Sequence, residues 1–237
     1  MFQNPFDPPE AQPPMTGARL ELIAPERRAF VASMLATPAA ALLAGCSLWP
    51  TTPTPSSVRH VLDARPKGVP STRRDLVIAV RPPRAAPGYE TSAILYVQER
   101  HVLDRYATHE WAEPPARMLG SLLARSLEDA GGFSAVAQDA SGLPVDLRLD
   151  TEIVLLRQNF LTRPSVVEFA MRVQLIDVSK RRMLAARYIE LAERTMSDDA
   201  AGGVAAANVA VEHALAEVVS FCASAAAEMQ PSRPPSR

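Results

Sequence analysis

Alternating apolar and polar positions in the second half of the chain predict β-strands. Every second residue is apolar from Leu147 to Leu155, with Thr151 as the one exception, and again from Val167 to Leu175, which is the period of a strand with one buried face. A third strand is expected from Met183 to Leu191. Residues 159–164 and 179–181 have turn composition, so the three strands are predicted to form an antiparallel meander. The polar positions that alternate with the first apolar set are Asp146, Arg148, Asp150 and Glu152.

Shorter apolar runs upstream predict further strands. Residues 76–80 are continuously apolar and end at Pro82 and Pro83, which suits a buried strand leaving its sheet. Other short segments are rich in Ile, Val and Tyr, and the last two of them flank a polar turn at residues 99–100. These weaker strand candidates are residues 58–62, 93–98 and 102–108.

Two segments have the spacing of helices. Pro114 and Pro115 are placed to open the first helix, because the first amides of a helix lack partners in any case. Gly131 and Gly132 are expected to close it. Its predicted buried face consists of Leu119, Leu122, Leu123 and Leu127.

The second helix is predicted near the C-terminus. Ser197 is the expected N-cap, and Asp198 and Asp199 are expected in the first turn, where they would favour the helix dipole. The residues at helical spacing are Val204, Val211, Leu215, Val218 and Cys222. Together these elements predict a single α+β domain over residues 58–228, with an antiparallel or mixed sheet and two amphipathic helices packed on it.

The N-terminal region has the layout of an export signal. Residues 29–44 carry no charge, follow Arg27 and Arg28, and are too short for a usual membrane span. Residues 1–45 are therefore predicted to be a signal peptide, with Met15 as an alternative start. Arg27 and Arg28 fit both an ordinary basic region and a twin-arginine signal, so the export route stays open.

The end of this signal resembles the lipobox of bacterial lipoproteins. Leu43, Ala44 and Gly45 are expected to be recognised by the signal peptidase, and the Cys46 sulfur is expected to carry lipid. The alternative is an uncleaved signal anchor that extends through Leu48 and Trp49, in which Cys46 would be an unmodified thiol. Residues 46–57 are predicted to include a Pro/Thr/Ser tether, and residues 229–237 a disordered tail.

Composition narrows the classes of partner. The chain has a formal charge of −1, so it has no basic field that would attract nucleic acid. Its 237 residues are 47% hydrophobic, enough to bury a core, while 22 prolines indicate tails and linkers. Two cysteines, one of them in the lipobox, do not support a disulfide framework.

Candidate chemistry is sparse. The four histidines do not lie at metal-ligand spacing, so no metal or other cofactor is predicted. His109 and Glu110 are followed by Trp111 and Pro114, which favours a strand-to-helix corner. Nucleophile elbows, phosphate-binding glycine loops and dinucleotide fingerprints are missing from the sequence. The chain is therefore predicted not to be an enzyme. The histidines are His60, His101, His109 and His213.

Three features have both a functional and a structural interpretation. Asp146, Asp150 and Glu152 share a predicted strand face and could form an acid/base pair, but the arginine among them favours a solvated face. Cys222 lies on a predicted apolar helix face, where a thiol packs as a small hydrophobe. Residues 89–106 could present an exposed edge to a partner or lipid, although an ordinary buried strand is favoured.

Several of these motifs together resemble the ABC-type transport auxiliary lipoproteins, the PqiC-like family. The shared features are the lipobox Cys46, the strand at 76–80 running into a Pro-Pro pair, the Ile94-Leu95-Tyr96 strand and the opening of the first helix. That opening, Trp111-Ala112-Glu113-Pro114, is the most diagnostic element. Pro87-Gly88-Tyr89-Glu90 replaces the family's usual Pro-x-Tyr-Leu-Asp.

The resemblance implies a non-enzymatic periplasmic component of an ABC system. Its other parts would be an ATPase, a permease and an MCE (mammalian cell entry) domain protein, and its setting would be lipid transport between the two membranes. Ser47, where an Asp would resemble an inner-membrane retention signal, implies the inner leaflet of the outer membrane. Contact with cargo lipid and assembly into a homo-oligomer stay open. The alternative is an envelope assembly factor that binds an outer-membrane protein or a cell-wall protein.

Overall fold

A mixed β-sheet with two helices forms the part of the chain that the computed structural model describes, residues 56–66, 71–138, 142 and 144–229. The predicted signal peptide, the lipobox with Cys46, the tether up to Pro55 and the tail beyond Met229 lie outside these residues. The elements are β1 (Val58–His60), β2 (Arg74–Val80), β3 (Arg84–Ala85), β4 (Ala93–Val97), β5 (Asp104–Trp111), α1 (Pro115–Ala130), β6 (Phe133–Gln138), β7 (Leu147–Asn159), β8 (Val166–Asp177), β9 (Arg182–Arg194) and α2 (Ala200–Ala227).

Strands β7, β8 and β9 form the predicted antiparallel meander. Leu147 pairs with Asp177 at one end of β7 and Asn159 pairs with Val166 at the other. The alternation predicted for β8 is confirmed, because its odd-numbered apolar residues from Val167 to Leu175 are all buried. These side chains point toward the helices and form the middle of the core.

A β-bulge in β7 changes the predicted alternation. The register of β7 against β8 shifts between Ile153 and Leu155, so one extra residue is inserted in β7. Ile153 is buried, but the next buried residue is Leu156, and Leu155 is only half-buried. The prediction that Leu155 continues the buried face is therefore wrong. After the bulge the even-numbered residues face the core, and Gln158 is one of them.

The other edge of β7 is shared by three strands in succession. Ile78–Val80 of β2 pairs with Leu147–Leu149, Arg84–Ala85 of β3 pairs with Glu152–Ile153, and Tyr96–Val97 of β4 pairs with Gln158–Asn159. All three pairings are parallel. Strand β6 then extends the sheet beside β2, and β5 and β1 extend it beside β4. The result is a mixed, open sheet in an α+β domain, as predicted.

The shorter strands differ from their predicted bounds. Strand β1 covers only three of residues 58–62, and β5 begins at Asp104 rather than Val102 and runs through to Trp111. The sequence analysis did not predict β3 or β6. Strand β3 has only two residues and exists because it lies against β7, so its own sequence carries little signal.

Helix α1 forms as its punctuation predicts. Pro114 is the N-cap and Pro115 the first helical residue, and the predicted face of four leucines is buried. Gly131 ends the helix with a φ of 65°, a left-handed conformation that glycine adopts without a Cβ penalty. Its amide donates to the Glu128 carbonyl at 3.0 Å.

Helix α2 is a core helix that lies on β8 and β9. Alanines and glycines occupy much of its contact surface, which lets the helix approach the sheet closely, and Val211, Leu215 and Cys222 fill the space between. Its length and composition would suffice to cross a membrane, with a mean hydropathy of 1.4, but 56% of that apolar window is buried within the fold. Packing against the sheet accounts for its apolarity.

The N-cap of α2 is Asp199, and the prediction of Ser197 is wrong. The Asp199 carboxylate accepts a hydrogen bond from the Gly202 amide at 2.7 Å, while the Ser197 hydroxyl donates to that same carboxylate at 2.9 Å. Asp198 and Asp199 thus precede the first turn rather than lying in it. Aspartate is the stronger choice here because its charge also favours the positive end of the helix dipole.

We predict that Asp199→Ala destabilises the domain more than Ser197→Ala does. Loss of the cap leaves the Gly202 amide without its partner, which typically costs about 1 kcal/mol, within a range of roughly 0.5–2 kcal/mol. Ser197→Ala removes only the hydroxyl that supports the cap. Urea unfolding followed by circular dichroism gives both free energies, and a larger loss for Ser197→Ala would contradict the assignment.

Candidate functional site

Three loops meet at one end of the sheet, which we call the loop end: residues 98–103, 160–165 and 195–199. The first connects β4 to β5, the second connects β7 to β8, and the third leads from β9 into α2. The Phe160 amide donates to the Val97 carbonyl at 2.8 Å, which joins the first loop to the second. The Thr195 amide donates to the Ser165 carbonyl at 3.0 Å, which joins the second to the third.

Each of these loops carries large apolar side chains into solvent. Val102 and Leu103 are 48% and 44% exposed, and Leu161 is 47% exposed. Met196 is 96% exposed. Isolated apolar side chains are common on protein surfaces, but here three connections bring theirs to the same end. We call the four residues Val102, Leu103, Leu161 and Met196 the apolar tip.

A buried chain of polar side chains lies beneath the apolar tip. The Tyr106 hydroxyl donates to Gln158 Oε1 at 2.9 Å, and Gln158 Nε2 donates to Ser165 Oγ at 2.8 Å. Ser165 Oγ also bonds to Thr195 Oγ1 at 2.7 Å, and the Ser165 amide donates to the Asp198 carboxylate at 2.7 Å. These bonds tie β5, β7 and the second and third loops together, so the loop end is held in place from below.

The charged and ionisable members of this chain are fixed in single protonation states near neutral pH. Burial raises the pKa of Tyr106 to about 12, and the nearby Asp199, Tyr96 and Asp198 add to the effect, so the phenol stays a donor. The hydrogen bond from the Ser165 amide holds the pKa of Asp198 below its usual range. A hydrogen bond from the Gly202 amide does the same for the pKa of Asp199. The chain is structural rather than a proton relay.

This set of hydrogen-bonded polar side chains is not predicted by the sequence pattern. Gln158 is 2% exposed and Ser165 is fully buried. The sequence carries no signal for the burial of Gln158, because the predicted alternation places Gln158 on the outward face of β7 and only the bulge turns it inward. Gly203 of α2 lies directly over the Gln158 amide, and a Cβ there would overlap it.

Two histidines pair on the neighbouring surface. His60 Nε2 lies 2.9 Å from His109 Nδ1, with the rings stacked at a centroid distance of 5.2 Å. In this hydrogen bond one ring nitrogen donates and the other accepts. The accepting ring must be neutral, so the two histidines cannot both be charged while the bond is present. Burial lowers the pKa of His60, and the charge of His109 lowers it further. The described residues offer no group of three or more His, Cys, Asp and Glu side chains that could hold a metal ion.

An open depression of about 630 Å³ lies beside this pair over β4 and β5. Ser57, Leu95, Asp104, Arg105 and Tyr106 are among the residues that line it. It is shallow and mixed in polarity, unlike the enclosed apolar pockets that hold small ligands. Strand β4 itself lies between β5 and β7, so residues 89–106 supply an interior strand and place exposed apolar residues only at its following turn.

The remaining residues singled out in the sequence have structural partners. The Asp146 carboxylate accepts from the Val77 amide at 2.8 Å, Asp150 pairs with Arg148 at 3.1 Å, and Glu152 pairs with Arg172 at 2.8 Å. Asp150 and Glu152 line one small depression together with Arg84 and Arg172, and Asp146 is not part of it. Burial raises the pKa of Cys222 to about 12, which leaves its thiol unreactive.

The histidines outside the pair are surface residues. His213 lies 2.7 Å from the Glu193 carboxylate, and His101 occupies a turn with a φ of 67°. Neither is placed beside the His60–His109 pair by any hydrogen bond or ring contact of the described residues.

The segment Trp111-Ala112-Glu113-Pro114 forms the corner between β5 and α1. Trp111 is 3% exposed and belongs to the core. The Ala112 amide donates to the His60 carbonyl at 2.6 Å, which links the corner to β1. Glu113 forms an exposed ion pair with Arg117 at 3.8 Å. The segment therefore has a structural role: it joins β5 to α1 and fixes this corner against β1.

Comparison with known proteins finds a family and a shared fold. Residues 60–219 match the model of a family described as the ABC-type transport auxiliary lipoprotein component. The structure is similar to that of a DUF330 protein from Xanthomonas campestris, with a TM-score of 0.66 and 21% identity over 72% of this chain and 98% of that one. It is also similar to an uncharacterized protein, with a TM-score of 0.58 and 12% identity over 70% of this chain and 99% of that one. No curated protein matches.

We predict that Gly203→Ala destabilises the domain, although alanine favours helices by about 0.8–1.0 kcal/mol over glycine. The new Cβ overlaps the Gln158 amide, which cannot move without breaking its bonds to Tyr106 and Ser165. Overpacking of this kind costs about 1–3 kcal/mol. Urea unfolding of Gly203→Ala, of Gln158→Ala and of the double variant should show that Gln158→Ala relieves the overlap. A stabilising Gly203→Ala in the otherwise native chain would contradict it.

We predict that stability falls as the pH drops below about 6.5, the ordinary pKa of histidine. The pKa of His60 is lowered in the fold, so the unfolded chain takes up a proton first. The contribution of His60 to the free energy of unfolding is fully present above that pH. It is lost as the pH falls toward the lower pKa that His60 has in the folded protein.

Thermal unfolding between about pH 7.5 and pH 5 measures this loss. His60→Gln should flatten the dependence, while the matched change His101→Asn, at an exposed turn, should leave it unchanged. The capped carboxylates of Asp198 and Asp199 titrate below 3.8 and do not contribute in this range. Equal pH profiles for the native chain and His60→Gln would refute the prediction.

Proposed function

Because the chain belongs to the ABC-type transport auxiliary lipoprotein family, we propose that it is a lipid-anchored, non-enzymatic component of an ABC system that moves lipid between the inner and outer membranes. The observation that carries this proposal is the extent of the family match. The match runs from His60, the last residue of β1, to Val219 in α2, and so includes strands β2 to β9 and helix α1.

The proposed anchor is Cys46. Each buried methylene contributes about 0.8 kcal/mol, so one acyl chain holds a protein marginally and two or three hold it essentially permanently. Lipidation at Cys46, after cleavage behind Gly45, would fix the domain to one leaflet. Ser47 in the following position supports the inner leaflet of the outer membrane as that location.

A role without catalysis is supported by how the polar residues of the domain are used. Tyr106, Gln158 and Asp198 at the loop end are bonded to one another or to the backbone of neighbouring loops. The carboxylates on the open face of the sheet are paired with arginines. Asp146, Asp150 and Glu152, the candidate acid and base groups, bond to neighbouring residues of the fold. Cys222, the candidate nucleophile, packs in the core.

The proposed partners are an MCE-domain protein, a permease and an ATPase. The family description supports an association with an ABC transport system, and the MCE protein is the component that would meet a lipoprotein in the periplasm. The domain would then receive the MCE assembly while its anchor stays in the leaflet. Binding of cargo lipid by this chain is not required for that role.

We predict that the lipidated protein, purified from gently solubilised envelopes, brings with it an MCE-domain protein together with its permease and ATPase. Mass spectrometry identifies the proteins and any bound lipid. Cys46→Ala serves as the matched control: it should leave the domain folded but move it from the membrane fraction to the soluble periplasmic fraction, because the anchor is outside the core.

Two outcomes would count against the proposal. A Cys46→Ala protein that stays in the membrane pellet after an alkaline wash, which removes peripheral contacts, would favour the uncleaved signal anchor. Recovery of only outer-membrane or cell-wall proteins would favour the envelope assembly factor instead of the transport component.

A further inference from the structure

We propose that the apolar tip is a second membrane contact, in which Val102, Leu103, Leu161 and Met196 enter the interface of the leaflet that holds the acyl chains of Cys46. This inference rests on the lipidation of Cys46 proposed above. The tip gives the domain a fixed orientation on the membrane, which an acyl anchor alone cannot provide.

The three loops of the loop end are held next to one another. Backbone hydrogen bonds from Phe160 to Val97 and from Thr195 to Ser165 hold them side by side. The buried polar chain ties the second and third loops to β5 and β7 from below, through Gln158 and Ser165. The exposed apolar side chains are therefore presented together on a rigid support, as an interfacial contact requires.

The first described residues of the chain lie toward the loop end. Strand β1 is parallel to β5, with Val58 opposite His109, so Ser56 and Ser57 precede Val58 on the side on which β5 begins. Strand β5 begins at Asp104, immediately after the tip residue Leu103. Ser57 lines the same depression as Asp104 and Arg105. The first described residues, Ser56 and Ser57, thus lie on the loop-end side of β1.

The chain between Cys46 and the domain is long enough to reach the membrane at the apolar tip. Val58 lies opposite His109, and His109 is about 17 Å from Asp104 along β5, at about 3.3 Å per residue. Cys46 is eleven residues before Ser57, and a fully extended chain of that length spans at most about 36–40 Å. The acyl chains and the apolar tip can therefore occupy the same leaflet at the same time.

The charges at the loop end nearly balance, because Arg100 and Arg163 stand against Glu99, Asp198 and Asp199. Arg100 and Arg163 are exposed in the first and second loops, where a long side chain can reach a phosphate while its stem stays on the apolar side. The acidic residues of the third loop, Asp198 and Asp199, accept hydrogen bonds from backbone amides. Those bonds compensate part of the charge of the two carboxylates, although both residues are exposed.

The experiment places a fluorescent probe at the tip of the lipidated protein. In Leu161→Cys, the new thiol alone reacts with an environment-sensitive dye, since Cys46 carries lipid and Cys222 is fully buried. The labelled protein is reconstituted in vesicles of phosphatidylethanolamine and phosphatidylglycerol that contain a spin-labelled quencher lipid. The matched control is Met183→Cys, which is 51% exposed against 47% for Leu161 but lies at the opposite end of the sheet.

We expect the probe at residue 161 to show a blue-shifted emission and several-fold stronger quenching by the spin-labelled lipid than the probe at residue 183. Equal, weak quenching at both positions overturns the proposal. So does a probe at residue 161 that responds only when envelope proteins are added, because that result would assign the tip to a protein partner.

A second measurement does not depend on the dye. In the mature Cys46→Ala chain, replacing Val102, Leu103 and Leu161 by serine should lower the vesicle-bound to free ratio by about tenfold or more, since each removes buried apolar area. Met183→Ser is the control, and circular dichroism verifies folding. An unchanged ratio in the triple variant overturns the proposal.

These measurements separate this inference from the proposed function. The vesicles contain no other protein, so failure to capture an MCE protein leaves the quenching result standing. The mass of the N-terminal peptide reports lipidation of Cys46 directly. An unlipidated Cys46 therefore counts against the proposed function, whereas a lipidated protein with an unquenched tip counts against the membrane contact alone.

Discussion

The backbone amides and carbonyls of strand β7 need hydrogen-bonding partners along both edges. The strands that supply these partners determine where the other elements lie. One edge is paired continuously by β8. The other is paired in three short steps by β2, β3 and β4, so the N-terminal half of the domain has to travel along β7 before it turns away. Buried backbone groups must be satisfied, and a single long strand is satisfied here by several short ones.

This constraint also explains how the loop end is built. Because β4 pairs only with the last residues of β7, the turns after both strands lie together. Because β8 and β9 are antiparallel to β7 and to each other, β9 ends at that same place and delivers the start of α2 there. The bulge in β7 turns Gln158 inward at this point, where its amide joins the strand to Tyr106 and Ser165. A local insertion in one strand thereby supplies the central residue of the polar chain.

Sequence patterns predicted what depends on local periodicity and missed what depends on a partner. The meander, helix α1 with its proline start and glycine end, and the α+β class all follow from spacing. The bulge after Ile153 does not, because an extra residue in β7 is defined only against β8, and without it Gln158 has no reason to be buried. Ser197 and Asp199 are both good caps, and the choice depends on where the loop tied to Ser165 ends. Exposure of Leu103 and Leu161 likewise depends on the full fold, since apolar residues near strands are usually core.

Helix α2 has a consequence for biogenesis. A chain threaded unfolded through a membrane channel can be retained there by an apolar segment of about 20 residues. In α2 the bulky apolar residues each favour insertion by roughly 0.3–0.6 kcal/mol, whereas a charged residue at the centre of a span opposes it by about 2.5–3.5 kcal/mol. Glu212 and Glu217 lie in the middle of the helix, and both are only half-buried in the fold. If the chain is exported unfolded, as an ordinary signal peptide would direct, these two carboxylates would let α2 supply an apolar surface to the core while discouraging its release sideways into the bilayer. The same helix would then pass through the membrane and fold beyond it.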